Sequence, residues 1–92
     1  MNIDNINKNG KWLVTIASNH ALSNKEKDFI IDLISEEARK TIGNYSFIIH
    51  DVLESQKYLM ILIEGSKIAL RNILSVCNDN IPYTISYERY DK

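Results

Sequence analysis

One cysteine, Cys77, leaves the chain without an internal disulfide. A lone thiol fits a reducing compartment, where stability has to come from packing. Only three glycines, Gly10, Gly43 and Gly65, occur in 92 residues. None stands in a Gly-rich phosphate loop, which needs several so that backbone can approach the phosphates. Proline occurs once, at Pro82, so the chain has no Pro-rich linker or polyproline ligand. No apolar run approaches the roughly 18 residues of a membrane span. Met1 to Gly10 is polar and Asn-rich, unlike a signal peptide. The expectation is a cytoplasmic protein with no membrane partner.

An excess of charge is missing too. Eleven Lys and Arg against twelve Asp and Glu leave a formal net charge of -1. That sum supplies no field for nucleic acid, so no nucleic-acid partner is expected. The histidines are His20 and His50 alone, and with Cys77 they form no CxxC or HxxxH spacing. His50 and Asp51 are neighbours on a strand, so their side chains point to opposite faces and cannot act together. Cys77 falls on the apolar stripe of a helix, the setting of a structural thiol. No catalytic residues, metal site or cofactor are expected, and the chain is read as not an enzyme.

What is present describes a small globular domain. Hydrophobic residues make up 45% and charged residues 25%, ordinary proportions for a packed fold. The length allows one domain, expected over residues 11–92, with residues 1–10 as a mobile arm ending on the turn dipeptide Asn9-Gly10. So short a chain buries only about 60–65% of its unfolded surface, which favours association. The longest apolar run, Tyr58 to Ile63, does not alternate. Leu59, Ile61 and Ile63 fall on one side, Tyr58, Met60 and Leu62 on the other, as in an interior strand covered on both faces.

Around it the other elements follow in order. Lys11 to Ser18 reads as a strand with Trp12, Val14 and Ile16 on one face and Leu13, Thr15 and Ala17 on the other. Ser23 and Glu26 have the capping-box spacing of a helix start. Phe29, Ile30, Leu33, Ile34, Ala38 and Ile42 then recur at helical spacing, and Gly43 or Asn44 supplies the stop. Tyr45 to Glu54 is the second strand. Phe47, Ile49 and Leu53 take one face, Ile48, His50 and Val52 the other, and Asp51 interrupts the first set. Ser55-Gln56-Lys57 makes a hairpin into the third strand. Ser66 caps a second helix whose stripe is Ala69, Leu70, Ile73, Leu74 and Cys77. The last strand is Ile81 to Tyr90, with Pro82 fitting an edge. The order β-α-β-β-α-β predicts an α+β, ferredoxin-like fold: a four-stranded sheet, order 4-1-3-2, with both helices on one face.

The other sheet face then carries the functional expectation. Leu13, Ile48, Val52, Met60 and Leu62 form an apolar centre with His50 among them, and a polar rim runs along the last strand to Tyr90. That is interface anatomy. Burying five such side chains contributes on the order of 10 kcal/mol at about 1.5–3 kcal/mol each. Association costs roughly 4–15 kcal/mol, so a stable pair is permitted. A second copy is the simplest partner, through this face or an edge strand. The alternative is that the arm covers the face with Ile3 and Ile6. The leading reading is a non-catalytic, homodimeric interaction module, a regulator or inhibitor of the sort a phage or other mobile element encodes. It would act by binding a heterologous protein, with Tyr83, Tyr87 and Tyr90 as further contact candidates.

A ligand reading stands beside it. In this fold the C-terminal ends of the first and third strands are expected to lie side by side with both helices starting there, so that Asn19, His20 and Ser23 meet Gly65 and Ser66. Two helix N-termini would then face a small anion, or else simply be capped. Among ferredoxin-like families, an RNA-recognition domain needs aromatic residues where this chain has Leu13, Thr15, Met60 and Leu62. Acylphosphatases need an arginine-bearing first loop, which Ser18-Asn19-His20-Ala21-Leu22 is not. Val14-Thr15-Ile16 followed by a polar loop resembles, in outline, ACT-type regulatory domains, without the glycine usual in that loop. That resemblance implies amino-acid sensing near the end of the first strand, through Asn19, His20, Ser23 and Ser66.

Overall fold

The computed structural model describes residues 10–90. The expected arm and the covering role of Ile3 and Ile6 lie outside these residues, and Gly10 itself opens the first strand. The elements are β1 (Gly10–Ala17), α1 (Asn24–Lys40), a 3-10 turn (Gly43–Tyr45), β2 (Phe47–Glu54), β3 (Tyr58–Gly65), α2 (Lys67–Asn80) and β4 (Thr84–Arg89). The four strands form one antiparallel sheet in the order β2-β3-β1-β4. This is the ferredoxin-like fold, with the expected strand order read from the opposite edge.

One face of the sheet makes the core. Trp12, Val14, Ile16, Leu59, Ile61 and Ile63 are buried there in a single cluster with Ile30 and Ile34 of α1 and Leu70, Ile73 and Cys77 of α2. The non-alternating run of β3 thus divides as expected, with only one half covered by helices. Trp12 also donates its indole N–H to the Gly65 carbonyl at 3.1 Å, satisfying the polar handle of a buried ring. Gly65 has to lack a side chain, since a Cβ there would stand 2.9 Å from the Phe47 Cβ.

α1 begins on a complete capping box. The Ser23 amide donates to Glu26 Oε1 at 2.8 Å, and the Glu26 amide donates to Ser23 Oγ at 3.1 Å. Loss of such a cap costs about 1 kcal/mol. The apolar stripe is narrower than the sequence spacing implies. Ile30 and Ile34 are buried, whereas Phe29 is 54% and Ile42 81% exposed. At roughly 100° per residue Phe29 falls on a border of the stripe, and Ile42 lies past the end of α1 in extended backbone. The helix closes at Lys40, and Gly43, the first residue of the 3-10 turn, takes the left-handed conformation at φ 63°. At the far end Ile81 caps α2, its N–H bonded to the Cys77 carbonyl. The β4 ladder therefore starts at Thr84 rather than at Ile81.

Two expectations about position are overturned. First, β2 contains a bulge. Ile49 pairs with Ile63, but Asp51 pairs with Leu62, which leaves His50 as the extra residue. Beyond it every side chain of β2 changes face. Val52 pairs with Ile61 and packs on the helical core, so it is not part of the open face; Leu53, opposite Met60, takes that place. Second, β1 and β3 run antiparallel, with Ala17 against Tyr58 and Gly10 against Gly65. The two helices accordingly start at opposite ends of the sheet. Seven residues at roughly 3.3 Å each separate these ends by about 23 Å. Asn19, His20 and Ser23 therefore do not meet Ser66, and the composite anion site does not form.

Candidate functional site

The open face of the sheet is built by register. Leu13 of β1 faces Leu62 of β3, and Thr15 faces Met60. Met60 is flanked on its other side by Leu53, and Tyr58 lies opposite Ala17. Ile48 extends the apolar area toward Glu64 and is 62% exposed. Leu53 is 53% and Tyr58 39% exposed. Leu13, Met60 and Leu62 are half-buried by their neighbours. The centre is thus Leu13, Leu53, Met60 and Leu62, with Ile48 and Tyr58 at its two ends.

Around it runs a polar border. Thr84, Ser86 and Glu88 line the β4 side, and Asp51 the β2 side. At one end the bulged His50 meets Glu64, Nε2 to Oε1, at 2.6 Å, with Lys11 opposite Glu64 across β1. Tyr90 stands exposed just beyond β4, its N–H donated to the Lys11 carbonyl at 2.9 Å. Of the expected interface residues, Leu13, Ile48, Met60 and Leu62 share this face, and His50 and Tyr90 stand on its border. Val52 leaves it. Leu53 is the residue that uninterrupted alternation hides, and Tyr58 joins the face from the side of β3 on which alternation places it.

A second polar cluster lies where β1 ends. Glu26 gathers three elements through one carboxylate. Oε1 accepts the Ser23 amide, while Oε2 accepts the Tyr83 hydroxyl and lies 3.5 Å from His20 Nε2. The Ser23 amide, then the Tyr83 and Ser23 hydroxyls, hold the Glu26 carboxyl down at about 2, and the same bond pushes the Tyr83 phenol up. His20 also packs edge-on to Tyr83 at 5.7 Å between ring centroids. Its Nδ1 lies 3.1 Å from Ser18 Oγ, which in turn accepts the His20 amide N–H.

This hydroxyl–imidazole–carboxylate series is a local turn tied to a helix cap. Grooves of about 390 Å³ (Ala17, Ser18, Asn19, Pro82, Tyr83, Thr84) and about 200 Å³ (Lys25, Glu26, Phe29, Ile30, Ile81, Pro82, Tyr83) flank it. Asn19 lines the larger groove, and Ser23 is spent on the cap. At the far end of the sheet Ser66 is buried and caps α2 through the Ala69 amide at 3.1 Å.

His50, bonded to Glu64 near the far end of β3, does not converge with His20. Cys77 is fully buried, and burial with the nearby Glu37 charge pushes its thiol up to about 11. Among the described residues no three His, Cys, Asp or Glu side chains are placed to hold a metal ion. No described helix is long and apolar enough to cross a membrane. Comparison of the chain with protein-family models, with curated proteins and with solved structures finds no match in any of the three.

Proposed function

We propose that this chain is a non-catalytic interaction module, a homodimeric regulator or inhibitor that acts by binding another protein through its open sheet face. The observation that supports it is the apolar centre of Leu13, Leu53, Met60 and Leu62, extended by Ile48 and Tyr58 and bordered by Asp51, Glu64 and Glu88. Helices cover the opposite face alone. A contiguous apolar area with a polar border on a small domain is the usual form of a protein-binding surface. ACT-like sensing has less support, because Ser66 lies at the other end of the sheet from His20.

The test places charge at the centre of the face. Met60→Glu and Leu62→Glu should leave the melting temperature within a few degrees, since both side chains are only half-buried. Both should abolish co-purification of partner proteins from the native host. Partners retained at wild-type levels by both stable variants would remove the open face from the proposal.

A further inference from the structure

The two edges of the sheet are finished differently. On β2 the bulge at His50 breaks the hydrogen-bonding rhythm of the strand. The hairpin bond from the Ser55 amide to the Tyr58 carbonyl fixes the alternation, so that Val52 turns its N–H away from β3. That outward N–H is taken by the Asp51 carboxylate at 2.8 Å. A bulge, a carboxylate and an amide bonded within its own strand are the devices by which an edge refuses a further strand.

β4 has none of them. Thr84 to Arg89 runs in unbroken register against β1, with neither proline nor lysine within it. The Tyr90 amide bonds inward to the Lys11 carbonyl. Alternation therefore turns the backbone groups of Ile85 and Tyr87 outward. No described residue receives those two amides. Beside them lies a groove of about 460 Å³ between α2 and β4, lined by Leu74, Ser75, Asn78, Ile85 and Tyr87. The Tyr87 ring is 47% exposed at its mouth. An added strand would therefore meet outward amides beside a groove of mixed lining, with Leu74, Ile85 and Tyr87 for apolar contact and Ser75 and Asn78 for polar contact.

We propose that β4 is the homodimer contact: a second copy pairs its own β4 antiparallel along this edge, with Tyr87 at the two-fold axis, joining two sheets into one of eight strands. The sequence of the strand fits itself in that register. Tyr87 faces Tyr87 of the second copy, Ile85 faces Arg89, and Ser86 faces Glu88, so no like charges are opposed. Each outward backbone group of the strand then has a partner. The two open faces become one continuous surface, with Glu88 and Ser86 of both copies along its midline. The inference rests on the homodimeric reading above and supplies its geometry: the edge joins the copies and leaves the joined faces for the other protein.

The test removes one outward N–H and keeps every side chain. Cys77 permits ligation of residues 1–76, as a thioester, to a synthetic 77–92 segment carrying N-methyl Tyr87. The full-length product and the unmethylated ligated chain are refolded and compared by light scattering and circular dichroism. The unmethylated chain should scatter as twice the 10.6 kDa chain mass, and the N-methyl chain as a monomer with the same helix content. Its dissociation constant should rise at least ten-fold. Tyr87→Lys, opposing two ammonium groups at the axis, should weaken pairing likewise, while Leu62→Glu should remain dimeric.

An unmethylated chain that scatters as a monomer overturns the proposal. So does an N-methyl chain that still dimerises. Dissociation by Leu62→Glu with pairing intact in N-methyl Tyr87 would put the contact on the faces instead. Loss of partner capture alone in Leu62→Glu bears on the open face and leaves the edge contact standing.

Discussion

Asp51 faces Leu62 across the β2–β3 ladder, although even alternation from Phe47 would put it opposite the helices. The extra residue at His50 turns a carboxylate that would have been buried toward solvent, and in exchange brings Val52 inward against Ile61. Burying an unpaired carboxylate costs several kcal/mol, so the bulge is the cheaper arrangement for this sequence.

This inversion predicts opposite outcomes at adjacent positions. Val52→Asp returns a carboxylate to the helical core and should destabilise by at least about 2 kcal/mol. Leu53→Asp places one on the open face and should stay within about 1 kcal/mol. Deleting His50 removes the extra residue and restores even pairing without moving Asp51 or Val52 between faces. It should therefore be milder than Val52→Asp. Urea denaturation of the three variants orders them. A larger loss at Leu53 than at Val52 would argue for an even strand, in which the two side chains exchange faces.

How far the sequence discloses this arrangement depends on which physics carries the signal. The capping box at Ser23 and Glu26 and the apolar run of β3 are local patterns, and both appear in the structure as read. Asp51 breaking the apolar set of β2 was itself the trace of the bulge. Choosing between a tolerated buried carboxylate and an extra residue needed the partner strand. Phe29 and Ile42 have helical spacing, but Phe29 is a border position left uncovered and Ile42 falls beyond the helix end at Lys40, and the spacing discloses neither. The separation of His20 from Ser66 follows from the antiparallel pairing of β1 with β3, which the expected topology already carries: the hairpin reverses β3 against β2, and the crossover through α1 leaves β2 parallel to β1. Tyr83 meeting Glu26 spans 57 positions and leaves no local mark.

Glu26 predicts an acid-dependent stability. Its carboxyl titrates near 2 in the folded chain, lowered from 4.5 chiefly by the Ser23 amide and the Tyr83 hydroxyl. A depressed carboxylate pKa contributes stability that is present above the unfolded value and is lost as pH falls through the folded one. Glu26→Gln should therefore be less stable than wild type at pH 7. The gap should narrow as pH falls from about 4.5 toward 2 and close below that range. Urea melts of both proteins at pH 7, 3.5 and 2 (roughly the two limits and the middle of the transition) measure it. A gap of constant size across this range would mean that the carboxylate bonds contribute nothing to folding.

Gly65 and Gly43 should respond to alanine for different reasons. At Gly65 the new methyl carbon would lie 2.9 Å from the Phe47 Cβ, held by the β2–β3 ladder, and 3.1 Å from the carbonyl oxygen of Ser46, the residue before Phe47. Overpacking of this kind costs typically about 1–3 kcal/mol. At Gly43 there is open space and the cost is conformational, because φ is +63°. A non-glycine residue there should lose about 1 kcal/mol, and asparagine less, since it tolerates the left-handed region. Rescue of Gly43→Ala by Gly43→Asn, with no comparable rescue at Gly65, separates a torsional from a steric origin.

Cys77 supplies the last prediction, a kinetic one. Its thiol is fully buried on α2 and pushed up to about 11 by burial and by the Glu37 charge. The reacting species of a cysteine is its thiolate, and at pH 8 a thiol of that pKa is almost wholly protonated. Alkylation of the folded chain must therefore pass through an opening that exposes α2 to solvent. α2 carries Ala69, Leu70 and Ile73 of the core on the same stripe, so that opening breaks the domain's main cluster. Iodoacetamide should label Cys77 in the native protein far more slowly than in urea. The logarithm of the native rate should rise with each destabilising variant in proportion to its loss of stability, about ten-fold per 1.4 kcal/mol, Val52→Asp more than Leu53→Asp. A native rate that ignores those variants would show that Cys77 is reached through a local motion, with the core left closed.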